Sequence, residues 1–158
     1  MQNRQRGFSL IELLIVVAII LIIASIAIPS LLAARRQTNE TAIVGAVRAI
    51  NTAQTSYNSA YPSVGFASTL AALGGTSCNP PGPTNACLID SQTASGTRNG
   101  YALTLSGTNG TPNVTYQIIA SPTVPNQTGV RYFCSFSDGV ARVSNSPIAS
   151  CDGNVPPL

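Results

Sequence analysis

The sequence predicts an α+β fold: a long N-terminal helix packed on a small antiparallel β-sheet. Two observations predict it. From Phe8 to Tyr61 apolar residues are first continuous and then recur at helical steps. From Tyr101 to Ser144 short runs rich in β-branched and aromatic residues alternate with Gly, Pro, Asn and Asp, the punctuation of strands and turns.

The first element starts in "GFSLIELLIVVAIILIIASIAIP". Phe8 to Ile28 is almost wholly apolar and, at 1.5 Å per residue, spans about 31 Å as a helix, enough to cross a hydrocarbon core. The rival is a secretory signal peptide, with Arg4 and Arg6 as its charged start and Ser25–Ala27 as its cleavage site. Three features oppose that alternative: the apolar run is long, Glu12 interrupts it, and the helical pattern continues past Pro29. In the continuation Ile43, Val47, Ile50, Ala53, Tyr57 and Tyr61 form a stripe with Ala46 and Ala60 beside it, while Arg48, Asn51, Thr52 and Thr55 fall on other faces. The helix is expected over 9–61, ending where Pro62 and Gly65 forbid continuation. Its length, about 80 Å, exceeds what a small domain covers, so its first half belongs in lipid or against other helices. Pro29 removes one intrahelical bond and is expected to bend or locally open the helix.

"FASTLAALGG" gives a short helix stopped by Gly74–Gly75, and residues 74–100 read as loop. Strands follow at 101–105, 114–120, 131–137 and 140–144. Asp138-Gly139 between the last two signals a two-residue hairpin turn. That turn sets Phe136 opposite Ala141 and Cys134 opposite Val143, and puts those four on the face packed against the helix, with Ser135 and Arg142 in solvent.

The eight basic residues are all Arg, there is no Lys or His, and the net charge is +3. Such scattered charge is not a nucleic-acid footprint. Chemistry is equally sparse: no imidazole, no paired carboxylates at useful spacing, no phosphate loop. No catalytic residue, metal site or cofactor is expected. Asp90, Asp138 and Asp152 sit among turn residues, and the sequons at Asn39, Asn109, Asn113 and Asn126 read as loop composition. The four cysteines, Cys78, Cys87, Cys134 and Cys151, lack the spacing of a zinc site. Behind an export segment they read as two disulfides in an oxidising compartment. Three pairings are possible. The sequential one, Cys78–Cys87 and Cys134–Cys151, is favoured because each pair brackets a loop rich in Pro, Asn or Gly.

The order basic leader, Gly7, Phe8, apolar spacing, Glu12 and long apolar helix resembles the class III signal of type IV pilins and type II secretion pseudopilins. The resemblance is close over about 23 residues and general beyond residue 65. It implies a leader over 1–7 cut after Gly7 by a prepilin peptidase, N-methylation of Phe8, an assembly role for Glu12, and a helix-bending role for Pro29. It also implies a membrane and assembly segment over 8–30 and a pilin-like globular α+β domain over 31–158. One departure is that Leu13 to Ile28 contains no Gly, so local melting of that stretch rests on Pro29.

The resemblance gives Glu12 a physical task. The cut exposes a cationic amine at Phe8, one helical turn before Glu12 and on the same side. In a bundle of staggered chains Glu12 of one meets the amine of another, and two buried charges become a pair that fixes register. The alternative is an interfacial acid that reaches for lipid headgroups.

The expected function is a structural subunit of a homo-oligomeric helical filament, served by the peptidase and inner-membrane assembly machinery. A pseudopilin or minor pilin of a type II secretion system is the alternative within the family, and a membrane-anchored binding module the one outside it. The subunit is expected in the inner membrane, in contact with lipid, and then in an extracellular pilus or periplasmic pseudopilus. Arg4 and Arg6 balance Arg35 and Arg36 across the span, so charge does not orient it. The disulfides do, placing the C-terminal domain outside.

Overall fold

A computed structural model describes residues 8–75, 78–108 and 110–158. The leader with Gly7 and the sequon residue Asn109 lie outside the described residues. The chain divides into two units, Met1–Arg35 and Arg36–Leu158. Helix α1, Leu10–Ala60, passes through Pro29 without ending there. In order follow α2 (Leu70–Leu73), α3 (Ser91–Ala94), and strands β1 (Thr97–Arg98), β2 (Tyr101–Thr108), β3 (Thr115–Pro122), β4 (Tyr132–Phe136) and β5 (Arg142–Ser144). The strands form one antiparallel sheet in sequence order. The expected α+β, pilin-like fold is thus observed.

The second unit is held by the stripe read from the sequence. Ile43, Ala46, Val47, Ile50, Ala53 and Tyr57 of α1 join Tyr101, Leu103, Tyr116, Ile118, Ala120 and Phe133 of the sheet in one buried cluster. Ala60, expected beside the stripe, is exposed. The helix stops as Pro62 requires, and Gly65 then turns the chain at φ 83°, in the left-handed region glycine favours. A methyl group at Gly65 would lie 2.2 Å from the Asn113 carbonyl oxygen, so only glycine fits.

Asn51 departs from its expected place. It is buried, because its side chain has partners there: Nδ2 donates to Ser135 Oγ and to the Gly139 carbonyl, both at 2.9 Å, and Oδ1 accepts from Tyr116 Oη at 3.1 Å. Burial, with a smaller push from Asp138, raises the Tyr116 hydroxyl to about 12, so it remains a donor at neutral pH. Gln54 is also buried and makes a two-way bridge to Ala67, its amide donating to the carbonyl and its carbonyl accepting the backbone N–H, each at 2.9 Å. Buried polar groups are tolerated when so satisfied.

The β4–β5 hairpin corrects the expected register. Phe133 pairs with Val143 and Cys134 with Arg142, one residue away from the two-residue turn's alignment. Gly139 N–H donates to the Phe136 carbonyl at 2.8 Å and Gly139 lies at φ 73°, so Ser137-Asp138-Gly139 is a three-residue loop with glycine in the left-handed position. The faces of β4 invert accordingly, whereas Ala141 and Val143 pack against the core cluster as expected. Phe133 and Ser135 point to the helix, level with Ala120 and Ile118 of β3. Cys134, Phe136 and Arg142 take the other side. There Arg142 pairs with Asp138 at 2.7 Å and lies over the Phe136 ring at 4.5 Å, so it is not solvated as expected.

Residues 74–100 hold more than loop. Asp90 caps α3, accepting from the Thr93 N–H at 3.0 Å, and it bonds Arg98 of β1. That backbone N–H, together with Arg98, lowers the Asp90 carboxyl below its ordinary range. Two sequon amides also have structural tasks: Asn39 Nδ2 donates to the Thr128 carbonyl at 2.9 Å, and Asn113 Nδ2 to the Phe66 carbonyl at 3.0 Å.

Disulfides join Cys78 to Cys87 and Cys134 to Cys151. The second ties the C-terminal segment over β4. Cys151 N–H donates to Gln117 Oε1 at 2.9 Å, and the tail then runs beside β5: Val143 N–H donates to the Pro156 carbonyl and Leu158 N–H to the Ala141 carbonyl, each at 3.0 Å. Replacing Cys134 and Cys151 together with Ser is expected to lower stability by about 3 kcal/mol in the chain-entropy account. Denaturant unfolding measures that loss, and faster hydrogen exchange at the Leu158 amide locates it in the tail. Unchanged exchange there would mean that the tail is held without the bond.

Candidate assembly segment

In the first unit every Leu, Ile and Val from Leu10 to Leu32 is exposed. Because these residues follow one another with few interruptions, the apolar surface surrounds the helix and does not form one stripe. Within α1 lies a window long and apolar enough to cross a membrane, and none of it is buried. Such a surface is stable in lipid or against other apolar helices.

Glu12 lies in the first turn of α1. Its Oε2 accepts the backbone N–H of Ser9, the residue just before the helix, at 3.0 Å. This is the returning half of a capping box, and it satisfies one of the N–H groups that a helix start leaves unpaired. The signature was present in the sequence as Ser9-Leu10-Ile11-Glu12, with a hydroxyl residue three positions before the acid. Phe8 is 83 % exposed. A carboxylate has room for about four hydrogen bonds, so Ser9 does not exhaust Glu12.

A family profile described as "Prokaryotic N-terminal methylation motif" matches residues 2–28. The stretch holds Gly7, Phe8 and Glu12 in one run. The type IV wide pilus major component PilA4 of Thermus thermophilus is 60 % identical over 38 residues, 24 % of this chain and 29 % of that protein. The N-terminal segment is thus similar to that of a type IV pilin. The match spans under a third of the relative's length. No solved structure matches. Gly7, Phe8, Glu12 and Pro29 thus lie in or beside the pilin-type segment, whereas all four cysteines lie beyond its profile match.

The second unit contains a site that the sequence reading passed over. Glu40 is 6 % exposed, and its carboxylate gathers three donors from far along the chain. Oε1 accepts from the N–H of Val130 at 2.8 Å and of Arg131 at 3.2 Å; Oε2 accepts from Arg131 Nε at 2.7 Å. Burial alone would raise the carboxyl, but the Val130 N–H and the Arg131 contacts outweigh it and hold Glu40 below the ordinary carboxylate range. Next to it, Asn39 holds the Thr128 carbonyl, and Tyr101 Oη donates to the Arg131 carbonyl at 2.9 Å. The segment before β4 is thereby fastened to α1. Among the described residues no group of three or more His, Cys, Asp or Glu is arranged to hold a metal ion.

Proposed function

We propose that this chain is a structural subunit of a type IV pilus-like filament, held in the inner membrane by residues 8–30 and polymerised through the same helix. What carries the proposal is the pilin-type segment itself: an apolar helix surface unburied on every side, with a single carboxylate, Glu12, in its first turn. That surface suits lipid before assembly and neighbouring helices after it. Association in lipid gains nothing from moving apolar groups into an apolar medium, so it relies on close packing and on polar pairs. Glu12 supplies the polar partner. Its charge meets the amine of Phe8 in an adjacent subunit and penalises every stagger in which the two miss. Pro29 supplies flexibility by withholding one backbone N–H from the helix ladder.

Processing is the first requirement. A prepilin peptidase cuts after Gly7, and Phe8 becomes the methylated first residue. Intact-mass and N-terminal analysis of purified protein is expected to give a chain starting at N-methyl-Phe8. Gly7→Val, which places a branched side chain at the cut, should leave the uncut precursor in the membrane. A mature chain starting at Ile28 would identify an ordinary signal peptide and remove the proposal.

A further inference from the structure

The two disulfides stand in opposite surroundings. Cys134 is 0 % exposed and Cys151 is 7 % exposed; the first lies in β4 between β3 and β5, and the second is fastened to Gln117. Cys78 is exposed and Cys87 is half-buried. Thiol–disulfide exchange needs access to one sulfur and proceeds with the other as leaving group. The first bond offers that access at Cys78.

The two ends of the Cys78–Cys87 ring are also held unequally. On the Cys87 side three backbone hydrogen bonds lace the chain to the end of α2: Ala86 N–H to the Ala72 carbonyl at 2.9 Å, Cys87 N–H to Gly74 at 2.7 Å, and Leu88 N–H to Leu73 at 2.7 Å. On the Cys78 side Pro80, Pro81 and Pro83 have no N–H to donate. The tie from that arm to α1 is the Pro83 carbonyl, which accepts from Tyr57 Oη at 2.6 Å. Tyr57 is 1 % exposed, and its ring lies 4.9 Å from that of Tyr61.

We propose that Cys78–Cys87 is a redox-addressable clasp: a dithiol reductant opens it at Cys78 and releases the arm 78–84 from Tyr57, while the sheet and Cys134–Cys151 stay closed. In the first step a thiolate of the reductant attacks Cys78 Sγ, the Cys78–Cys87 bond breaks, and Cys87 leaves as thiolate and takes a proton. The second thiol of the reductant, having lost its proton, then displaces Cys78, which leaves as thiolate and is protonated in turn. One protein disulfide is reduced and one dithiol is oxidised to a cyclic disulfide. Cys87 remains laced to α2, so the opened state stays poised for closure by the reverse exchange. This inference goes beyond filament assembly and stands or falls separately from it.

The test uses the full-length protein in detergent, exposed to graded dithiothreitol under native conditions, quenched with iodoacetamide and digested with trypsin. The arginines place both cysteines of the clasp in peptide 49–98, and divide the other pair between 132–142 and 143–158. Alkylation at Cys78 and Cys87 is expected at least about tenfold faster than at Cys134 and Cys151, in keeping with the access that exchange requires. Nitration by tetranitromethane after this selective reduction should rise at Tyr57, resolved from Tyr61 by fragmentation, and stay unchanged at Tyr101 and Tyr116. The double variant Cys78→Ser, Cys87→Ser should show the raised Tyr57 nitration without reductant. Equal rates for the two pairs, or faster loss of Cys134–Cys151, would overturn the clasp. So would selective reduction that leaves Tyr57 as protected as before.

Discussion

Glu12→Gln is expected to leave a processed, membrane-resident subunit that makes few or no filaments. The substitution isolates charge, because a glutamine carbonyl still accepts the Ser9 N–H that Glu12 Oε2 accepts at 3.0 Å. The helix start should therefore persist, and insertion should be spared, since a neutral side chain is easier to place in hydrocarbon than a carboxylate. Folding of Arg36–Leu158 should be spared too, because its cluster and disulfides lie within that unit. What disappears is the countercharge for a buried Phe8 amine. Leaving one member of a buried pair uncompensated costs roughly 3–5 kcal/mol. At 1.4 kcal/mol per tenfold, that is about a hundredfold or more in the equilibrium for each subunit added. Filaments counted by electron microscopy, beside the membrane pool measured by blot, decide the point. Normal filaments in normal numbers would reduce Glu12 to an interfacial acid that also caps its helix.

The second large effect is expected at Glu40, and it concerns the fold. Glu40→Ala leaves two backbone N–H groups and the Arg131 guanidinium without their acceptor. With hydrogen bonds to a charged group contributing about 1.5–3 kcal/mol each, and the half-exposed Arg131 discounted for water, the loss should be roughly 2–4 kcal/mol. Glu40→Gln should lose less, since one carbonyl remains. The pH dependence separates charge from shape. Glu40 is depressed in the folded state, so between its folded and unfolded values the unfolded chain binds more protons and stability rises with pH. Its contribution is complete above the ordinary value of 4.5 and is lost as pH falls through the lowered folded value. Asp90, also depressed, adds a like component in both proteins, so the difference between wild type and Glu40→Gln reports Glu40. Melting temperatures followed from pH 7 downward should converge in acid. Parallel curves would mean that the carboxylate's charge plays no part in the fastening.

How far the sequence revealed this molecule can be judged at single residues. The apolar stripe of α1 was readable because burial of Ile43, Val47, Ile50, Ala53 and Tyr57 repeats at the helical period. Glu40, Asn51 and Gln54 share that buried side, yet Asn51 was expected on another face and nothing marked Glu40 or Gln54 as buried, because what makes them tolerable lies elsewhere. The partners of Glu40 are at 130 and 131, and those of Asn51 at 116, 135 and 139. No local pattern carries such a match. The hairpin failed for a different reason. Asp-Gly suits a two-residue turn and also the end of a three-residue loop, since both want glycine in the left-handed region. The choice fell to Ser135, a polar residue that turns inward because Asn51 waits for it. At the assembly segment the order Gly7, Phe8, Glu12 was plain, whereas the bond from Ser9 was legible only to a reader looking for helix caps.

The tail beside β5 has a consequence for crowding. A sheet whose outermost strand shows free donors and acceptors is a template for strands from other molecules. Here Pro157 lies opposite Arg142, with Pro156 before it. The backbone groups of residues 156 and 158 face β5, so the outward donor position falls at Pro157, which has no N–H to offer an approaching strand. In the proposed function, subunits stored side by side in a bilayer would hold their sheets at high local concentration, where such capture would compete with ordered growth. Pro157 blunts that edge against aggregation.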